Sequence, residues 1–306
     1  KVEAAVPELA YAPSPMAQAL SRGRSRLIGL VVADVSNPFS VAVLRGAEKA
    51  CQQAGYLLML FNLGNDGSRE REAIDALAGY QVDGFILNTL GRGAAAVDAD
   101  ALHGKPAVLV DRRHPGMRAD FVSLDNPAAL QGACEHLAAG GYKELLYISE
   151  PSKGVSSRRE RIAAFGECVT AQGTRMAGEV FECHDDSHPD AHAELDQALL
   201  ALKKRAVRGR RAAVVAGNSV VTLRVAAAMT RLGWTFGSDL GFIGFGETEW
   251  ASLVGPRLTT IPHPTAGIGH AAASCLIERL QGFEGPPRQL LLPGQLIVRG
   301  SSKGQP

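Results

Sequence analysis

The stretch Leu27-Ile28-Gly29-Leu30-Val31-Val32-Ala33, followed by Asp34-Val35-Ser36-Asn37-Pro38-Phe39, decides the fold. Seven apolar residues in a row suit a parallel strand buried on both faces. The run stops at polar residues, and Asn37-Pro38 opens a helical pattern that reaches Ala54. Outward from this unit the same rhythm repeats. Strands are expected over 56–61, 84–87, 107–110 and 121–124, with a helix over 68–80. After Asp125-Asn126-Pro127 it restarts, with helices over 127–139, 157–172, 220–232 and 265–280. Strands are expected there over 145–148, 212–216 and 240–245, and 290–298 closes the chain in β character. Two runs of alternating strands and helices predict an α/β protein of two doubly wound, Rossmann-like subdomains. In open α/β sheets ligands bind beyond the carboxyl ends of the strands. Those ends are polar here: Asp34 to Asn37, Asn88-Thr89, Asp111-Arg112, Ser149-Glu150, Asn218 and Gly246-Glu247. Two such subdomains face to face would make a cleft for a small polar ligand.

Composition narrows the function. The chain has 306 residues, 46% hydrophobic and 21% charged, enough to bury a large core. The net charge of +1 supplies no global field for nucleic acid, so any such binding must be local. The longest apolar runs are too short to cross a bilayer. No signal peptide opens the sequence. Five widely spaced cysteines without a CxxC pair argue against a disulfide framework or zinc knuckle, and a reducing cytoplasm fits best.

Several motifs fail. There is no GxxxxGK[ST], no GxGxxG after the first strand and no GxSxG. Gly91-Arg92-Gly93 and Gly267-Ile268-Gly269 lack the context of a dinucleotide site. No residue set resembles a nucleophile with its base, so neither catalysis nor a cofactor is expected. His184, Asp185, Asp186, His188 and His192 include metal-ligand types, but Pro189 interrupts the spacing, so a solvated loop is expected and no metal. The basic run Lys203-Lys204-Arg205, Arg208, Arg210-Arg211 reads as a solvated helix end and loop.

Residues 1–26 differ from the rest. Val2, Val6 and Leu9 share a helical face. Tyr11-Ala12-Pro13-Ser14-Pro15 is a turn, and Ser14-Pro15 suits the start of a short helix from Met16 to about Ser21, ending at Gly23. Arg22, Arg24 and Arg26 follow.

Four stretches together resemble the LacI/GalR family of bacterial transcription regulators. They are Leu9 to Pro13 with Met16 to Leu20, Ile28 to Val32 running on to Asn37-Pro38-Phe39, Gly241-Phe242-Ile243-Gly244-Phe245, and Leu258-Thr259-Thr260-Ile261. The resemblance implies a type I periplasmic-binding-protein-like core preceded by a short hinge helix, a helix-turn-helix upstream of Lys1, and a homodimer. It also implies a domain division. Residues 1–26 would be the remnant of the headpiece and the hinge. Residues 27–125 plus about 264–288 would form the N-terminal core subdomain, and 126–263 plus about 289–300 the C-terminal one. In the hinge, Leu20 would wedge into the minor groove of operator DNA, Ala17 would let paired helices approach, and Arg22 and Arg24 would meet phosphates. The alternative for Leu20 is a lone surface residue. Dimerisation would use the helices flanking the cleft, possible segments being 41–54 and 68–80. No heptad repeat follows the core, so no tetramerising coiled coil is expected.

A narrower set is similar to the sugar-acid branch of that family, whose effectors are 2-ketogluconate, gluconate and 2-keto-3-deoxygluconate. It comprises Asp34 to Ala42, Asn88 to Gly91, Glu150-Pro151, Gly154 to Arg158, and Arg161. Family members that bind neutral sugars carry an Asp where this chain has Gly246. Its absence suits an anion, which a buried carboxylate would repel. Arg161 matches the family's pocket arginine and could grip a carboxylate with two parallel hydrogen bonds. Its replacement by Ala is expected to abolish acid binding and leave the fold intact. Arg112 and Arg158 are further cleft-facing cations. Asn37, Asn88, Ser157 and Asn218 could serve hydroxyls, and Asp111 could accept from one. Phe39 and Trp250 would stack on a ligand or belong to the core. His263 would point inward or lie on a surface loop. The expectation is a cytoplasmic repressor whose operator affinity is controlled by a sugar acid. The alternatives are a sugar-binding protein or a repressor answering to a neutral sugar.

Overall fold

The computed structural model describes residues 24–90, 97–98, 100–114, 116–173, 176–184, 188–206 and 210–303. The hinge residues Ala17, Leu20 and Arg22 lie outside them. Arg24 is described and is exposed just ahead of the first strand.

The first half alternates β1 (Leu27–Val32), α1 (Pro38–Gln53), β2 (Leu57–Asn62), α2 (Glu70–Gly79), β3 (Gly84–Asn88), β4 (Ala107–Val110) and β5 (Asp120–Leu124). All five residues of β3 and of β5 are buried, as the continuous apolar reading requires. The chain then crosses over and builds α3 (Asn126–Ala139), β6 (Tyr142–Ser149), α4 (Ser156–Ala171), β7 (Ala177–Glu182), α5 (Ala191–Arg205), β8 (Arg211–Ala216), α6 (Ser219–Arg231), β9 (Gly241–Phe245) and β10 (Thr259–Ile261). It returns through α7 (Thr265–Leu280) and β11 (Gln289–Leu292). One sheet has the order β11-β5-β4-β3-β1-β2, the other β10-β9-β8-β6-β7, and every pairing between these strands is parallel.

The assignment of 289–300 to the C-terminal subdomain needs correction. β11 pairs with β5 of the first sheet, Gln289 opposite Phe121 and Leu292 opposite Leu124. A charge cluster steers it there. Asp120, buried at the start of β5, binds Arg279 at 2.8 Å and Arg288 at 3.0 Å, on either side of the turn that leads into β11. Only beyond β11 does the chain reach the second sheet, where Ile297 bridges Thr260 and Ser301 bonds Phe242 and Thr259.

Sequence reading omits β7 and α5. β7 is an edge strand with little burial and carries no apolar run. α5 buries Ala191, Leu195, Leu199 and Leu202, one helical face. The basic run at its end is anchored, not merely solvated: Lys203 pairs with Asp239 at 3.1 Å, and Arg205 and Arg210 pair with Glu144.

Gly267-Ile268-Gly269 has a packing role. A Cβ at Gly269 would fall on the backbone of Val43, and one at Gly46 on the backbone of Ala266. The two glycines let α1 and α7 pack backbone to backbone, which seats the start of both helices at the cleft.

Candidate functional site

Because the strands are parallel, their polar carboxyl ends converge on one cleft. One cavity there, of about 80 Å³, is walled by residues of both subdomains. Ten residues expected at a ligand line it: Asn37, Phe39, Asp111, Arg112, Ser157, Arg158, Arg161, Asn218, Gly246 and His263. Four helices, α1, α4, α6 and α7, begin at this wall with Phe39, Ser157, Ser219 and Thr265. Unpaired N–H groups at helix starts favour negative charge.

Two expected residues are elsewhere. Asn88 is buried at the end of β3 and donates from Nδ2 to the Val110 carbonyl at 3.0 Å, so its amide is used to tie β3 to β4. Trp250 packs against the core of the second subdomain, among the strands' apolar residues, and does not line the cavity. Sequence reasoning missed Pro38, Ala42, Ser219, Phe245, Glu247 and Thr265. Phe245 follows the buried Phe242-Ile243-Gly244, and only its position at the strand's end marks it.

Arg161 is the hub. It is buried on α4 and donates Nε to Asn126 at 2.8 Å and Nη1 to the Gly217 carbonyl at 3.0 Å. Its Nη2 donates to Asp111 at 3.1 Å and to His263 Nε2 at 3.0 Å. The guanidinium also lies 5.0 Å from the centre of the Phe245 ring. A guanidinium only donates, so His263 Nε2 must accept and the proton sits on Nδ1. Burial, together with the charge of Arg161, pushes the His263 pKa down to about 3, and the ring is neutral. It stands at right angles to Phe39, 5.4 Å away. Nδ1 has no hydrogen-bond partner.

Asp111 has a positive φ of 61°, a strained backbone for a residue with a side chain. Burial works against its carboxylate, but Arg161 and then Arg112 hold its pKa below the ordinary value, with a hydrogen bond from Ser157. Asn37 and Asn218 cap α1 and α6, accepting from Phe39 N at 3.0 Å and Val221 N at 2.8 Å. Asn218 Nδ2 also donates to Glu150 at 2.6 Å, and Arg158 meets the same oxygen at 2.6 Å. Gly246 has φ 91°, and a Cβ there would fall on Ser219 Oγ. Glu247 is neutralised by Arg299 at 2.6 Å.

Arg112, Arg158 and Asn37 also line a second cavity of about 390 Å³, with Asp34, Glu150, His184 and Arg224. Beside it His184 and His188 stack at 4.2 Å, and His184 lies 3.7 Å from Glu194. No metal is expected from the sequence, yet these three groups offer ligand atoms within 4.8 Å of one another. His188 Nδ1 accepts the Asp190 N–H at 3.3 Å, so one of its nitrogens is engaged. Asp185 and Asp186 lie outside the described residues, as does Gly91.

Among the described residues no helix is long and apolar enough to cross a membrane. The periplasmic binding protein-like domain model matches residues 134–302. The chain is 42% identical over 302 residues to the HTH-type transcriptional regulator PtxS of Pseudomonas plecoglossicida, covering 99% of this chain and 86% of that protein. It is 34% identical over 300 residues to the HTH-type transcriptional regulator KdgR of Bacillus subtilis, covering 98% and 87%. Among solved structures it is similar to the lac repressor dimer bound to operator and the anti-inducer ONPF. The TM-score is 0.80 at 23% identity, over 98% of this chain and 88% of that one.

Proposed function

Since the chain belongs to the LacI family of transcription regulators, a family of repressors built on a periplasmic-binding-protein-like core and not of enzymes, we propose that it is a DNA-binding repressor controlled by a sugar acid of the gluconate, 2-ketogluconate or 2-keto-3-deoxygluconate type. The acid sits between the two subdomains. One observation carries this reading: across the two cavities, which share Asn37, Arg112 and Arg158, four guanidiniums, Arg112, Arg158, Arg161 and Arg224, face three carboxylates, Asp111, Glu150 and Asp34, leaving one positive charge to be met. Glu247 does not alter the balance, because Arg299 neutralises it. The helix starts add to the same field. Gly246 removes a carboxylate from the wall, and its φ of 91° and the nearby Ser219 Oγ disfavour a side chain there.

The effector acts by linkage. It weakens operator binding only by its differential affinity for two arrangements of the subdomains, and so of the paired hinges. The sites at Ala17, Leu20, Arg22 and Arg24 belong to that hinge. Operator binding requires the helix-turn-helix that the resemblance implies. The protein works in the cytoplasm as a homodimer. The β2 edge exposes Leu57 and Leu60, an apolar strand edge that a second copy would cover.

The test is thermal denaturation against gluconate, 2-ketogluconate, 2-keto-3-deoxygluconate, glucose, ribose and a purine. A ligand at about 100 times its Kd adds roughly 2.7 kcal/mol of stability. A rise with one sugar acid is the expected result. A rise with glucose, ribose or the purine alone would refute the anion reading.

A further inference from the structure

Hydrogen bonding separates the three arginines that line the first cavity. Arg161 spends Nε, one N–H of Nη1 and both of Nη2 on Asn126, Gly217, Asp111 and His263, and Asp111 compensates its charge. Arg158 donates to Glu150 at 2.6 Å and to the Pro151 carbonyl at 2.8 Å. Arg112 is different. It is 9% exposed, as deeply placed as its neighbours, but its Nε has no partner. The hydrogen bond described for its side chain is a long one, from Nη1 to the Thr89 carbonyl at 3.3 Å. Its nearest carboxylate oxygen, Asp111 Oδ2, is 3.9 Å away, and that carboxylate is already held by Arg161 and Ser157. A buried guanidinium with idle donors is costly, and an anionic acceptor would relieve it.

Position adds to this. Arg112 lines both cavities, as Asn37 and Arg158 do, but Arg158 is already paired with Glu150. In the wall of the first cavity, His263 Nδ1–H is a second donor without a partner. It is neutral, and suits a hydroxyl or carbonyl oxygen better than it suits a charge.

We propose that Arg112 reads the effector's carboxylate, that His263 Nδ1–H reads an uncharged oxygen, and that Arg161 is a positioning residue that joins the subdomains. This rests on the sugar-acid reading above and assigns the charge discrimination to one residue. Burial, reinforced by the neighbouring Arg158 and Arg161, already pushes the Arg112 pKa below its ordinary value, and a bound carboxylate would oppose that.

Calorimetric titration with gluconate and with its neutral isostere gluconamide tests the assignment, because the ratio of the two affinities isolates the charge. Wild type should prefer gluconate. Arg112→Gln should lose about thirtyfold or more of its gluconate affinity while gluconamide binding stays nearly the same, collapsing the ratio. Its unfolding midpoint should not fall, since a buried charge is removed. Arg112→Lys should recover part of the ratio. Arg161→Lys should weaken both ligands alike and leave the ratio unchanged. An unchanged ratio in Arg112→Gln, or a collapse confined to Arg161→Lys, overturns the assignment while the sugar-acid reading stands. Wild type that binds neither gluconate nor 2-ketogluconate, and answers to a neutral ligand instead, overturns both.

Discussion

The two walls of the cleft are built differently. On the second-subdomain wall nearly every polar group but His263 Nδ1 is spent before a ligand arrives. Arg161 has four partners, Arg158 is bound to Glu150 and Pro151, Asn218 uses both ends of its amide, and a Cβ at Gly246 would collide with Ser219. On the first-subdomain wall Asp111 stands on a strained backbone and Arg112 keeps an unpartnered Nε. The first arrangement is a rigid frame, since satisfied buried networks hold their geometry. The second holds unfilled hydrogen-bonding capacity, which a ligand can complete. The contrast teaches that a family position matching a pocket arginine does not tell which arginine meets the ligand.

The largest effect that would sharpen this contrast is expected at the frame's hub. Arg161→Ala takes from buried Asp111 its closest cation, leaving Arg112 at 3.9 Å and Ser157, at a cost of up to about 3–5 kcal/mol. The thermal midpoint should then fall by on the order of 10 °C. The expectation that this variant leaves the fold intact therefore gives way to one of marked destabilisation. A midpoint equal to wild type would show that the two walls are not joined there.

The next effect is one of pH. Folded His263 titrates at about 3, well below an unfolded histidine near 6.5. Between those values protons bind the unfolded chain preferentially. Stability from this group is therefore full above about pH 6.5 and is lost as pH falls toward 3. His114 and His136, both held below their ordinary values by burial, act in the same direction. His263→Gln should flatten the decline in unfolding midpoint between pH 7 and pH 4. An unaltered slope would mean the ring is not locked in the frame.

The smallest effect belongs to Gly246. Gly246→Ala puts a side chain at φ 91° against Ser219 Oγ. Strain of this kind costs about 1–3 kcal/mol. Urea unfolding should register it as a lower midpoint with an unchanged slope. A neutral result would show that the second wall yields more readily than its packing suggests.

Much of the architecture was legible in advance because burial leaves a local mark. Leu27 to Ala33, Ala107 to Val110 and Leu240 to Phe245 are apolar because both faces of a parallel strand are covered, and α7 was placed at its observed bounds. Of the ten cleft residues, Asn37, Asp111, Arg112, Asn218 and Gly246 were legible because strand ends in open α/β sheets are where ligands bind, whereas Phe39, Ser157, Arg158, Arg161 and His263 came from the family resemblance. β7 escaped because an exposed edge strand needs no apolar run. Trp250 and Asn88 were misplaced because an aromatic ring or an amide near a strand end serves the core or a neighbouring strand as readily as a ligand.

By itself, then, the sequence determined the strand–helix rhythm, the polar rim of the cleft and the glycine at 246, all features written into consecutive residues. The tertiary structure alone decided which sheet takes β11, and which arginine is spent and which is idle. Those outcomes depend on groups far apart in the chain: Asp120 lies 168 residues from Arg288, Asp111 lies 50 from Arg161, and Arg161 lies 102 from His263. Hydrogen bonds of about 3 Å between such groups form only after the chain between them has folded, and Asp111–Arg161 only after the two subdomains meet, so no local pattern encodes them.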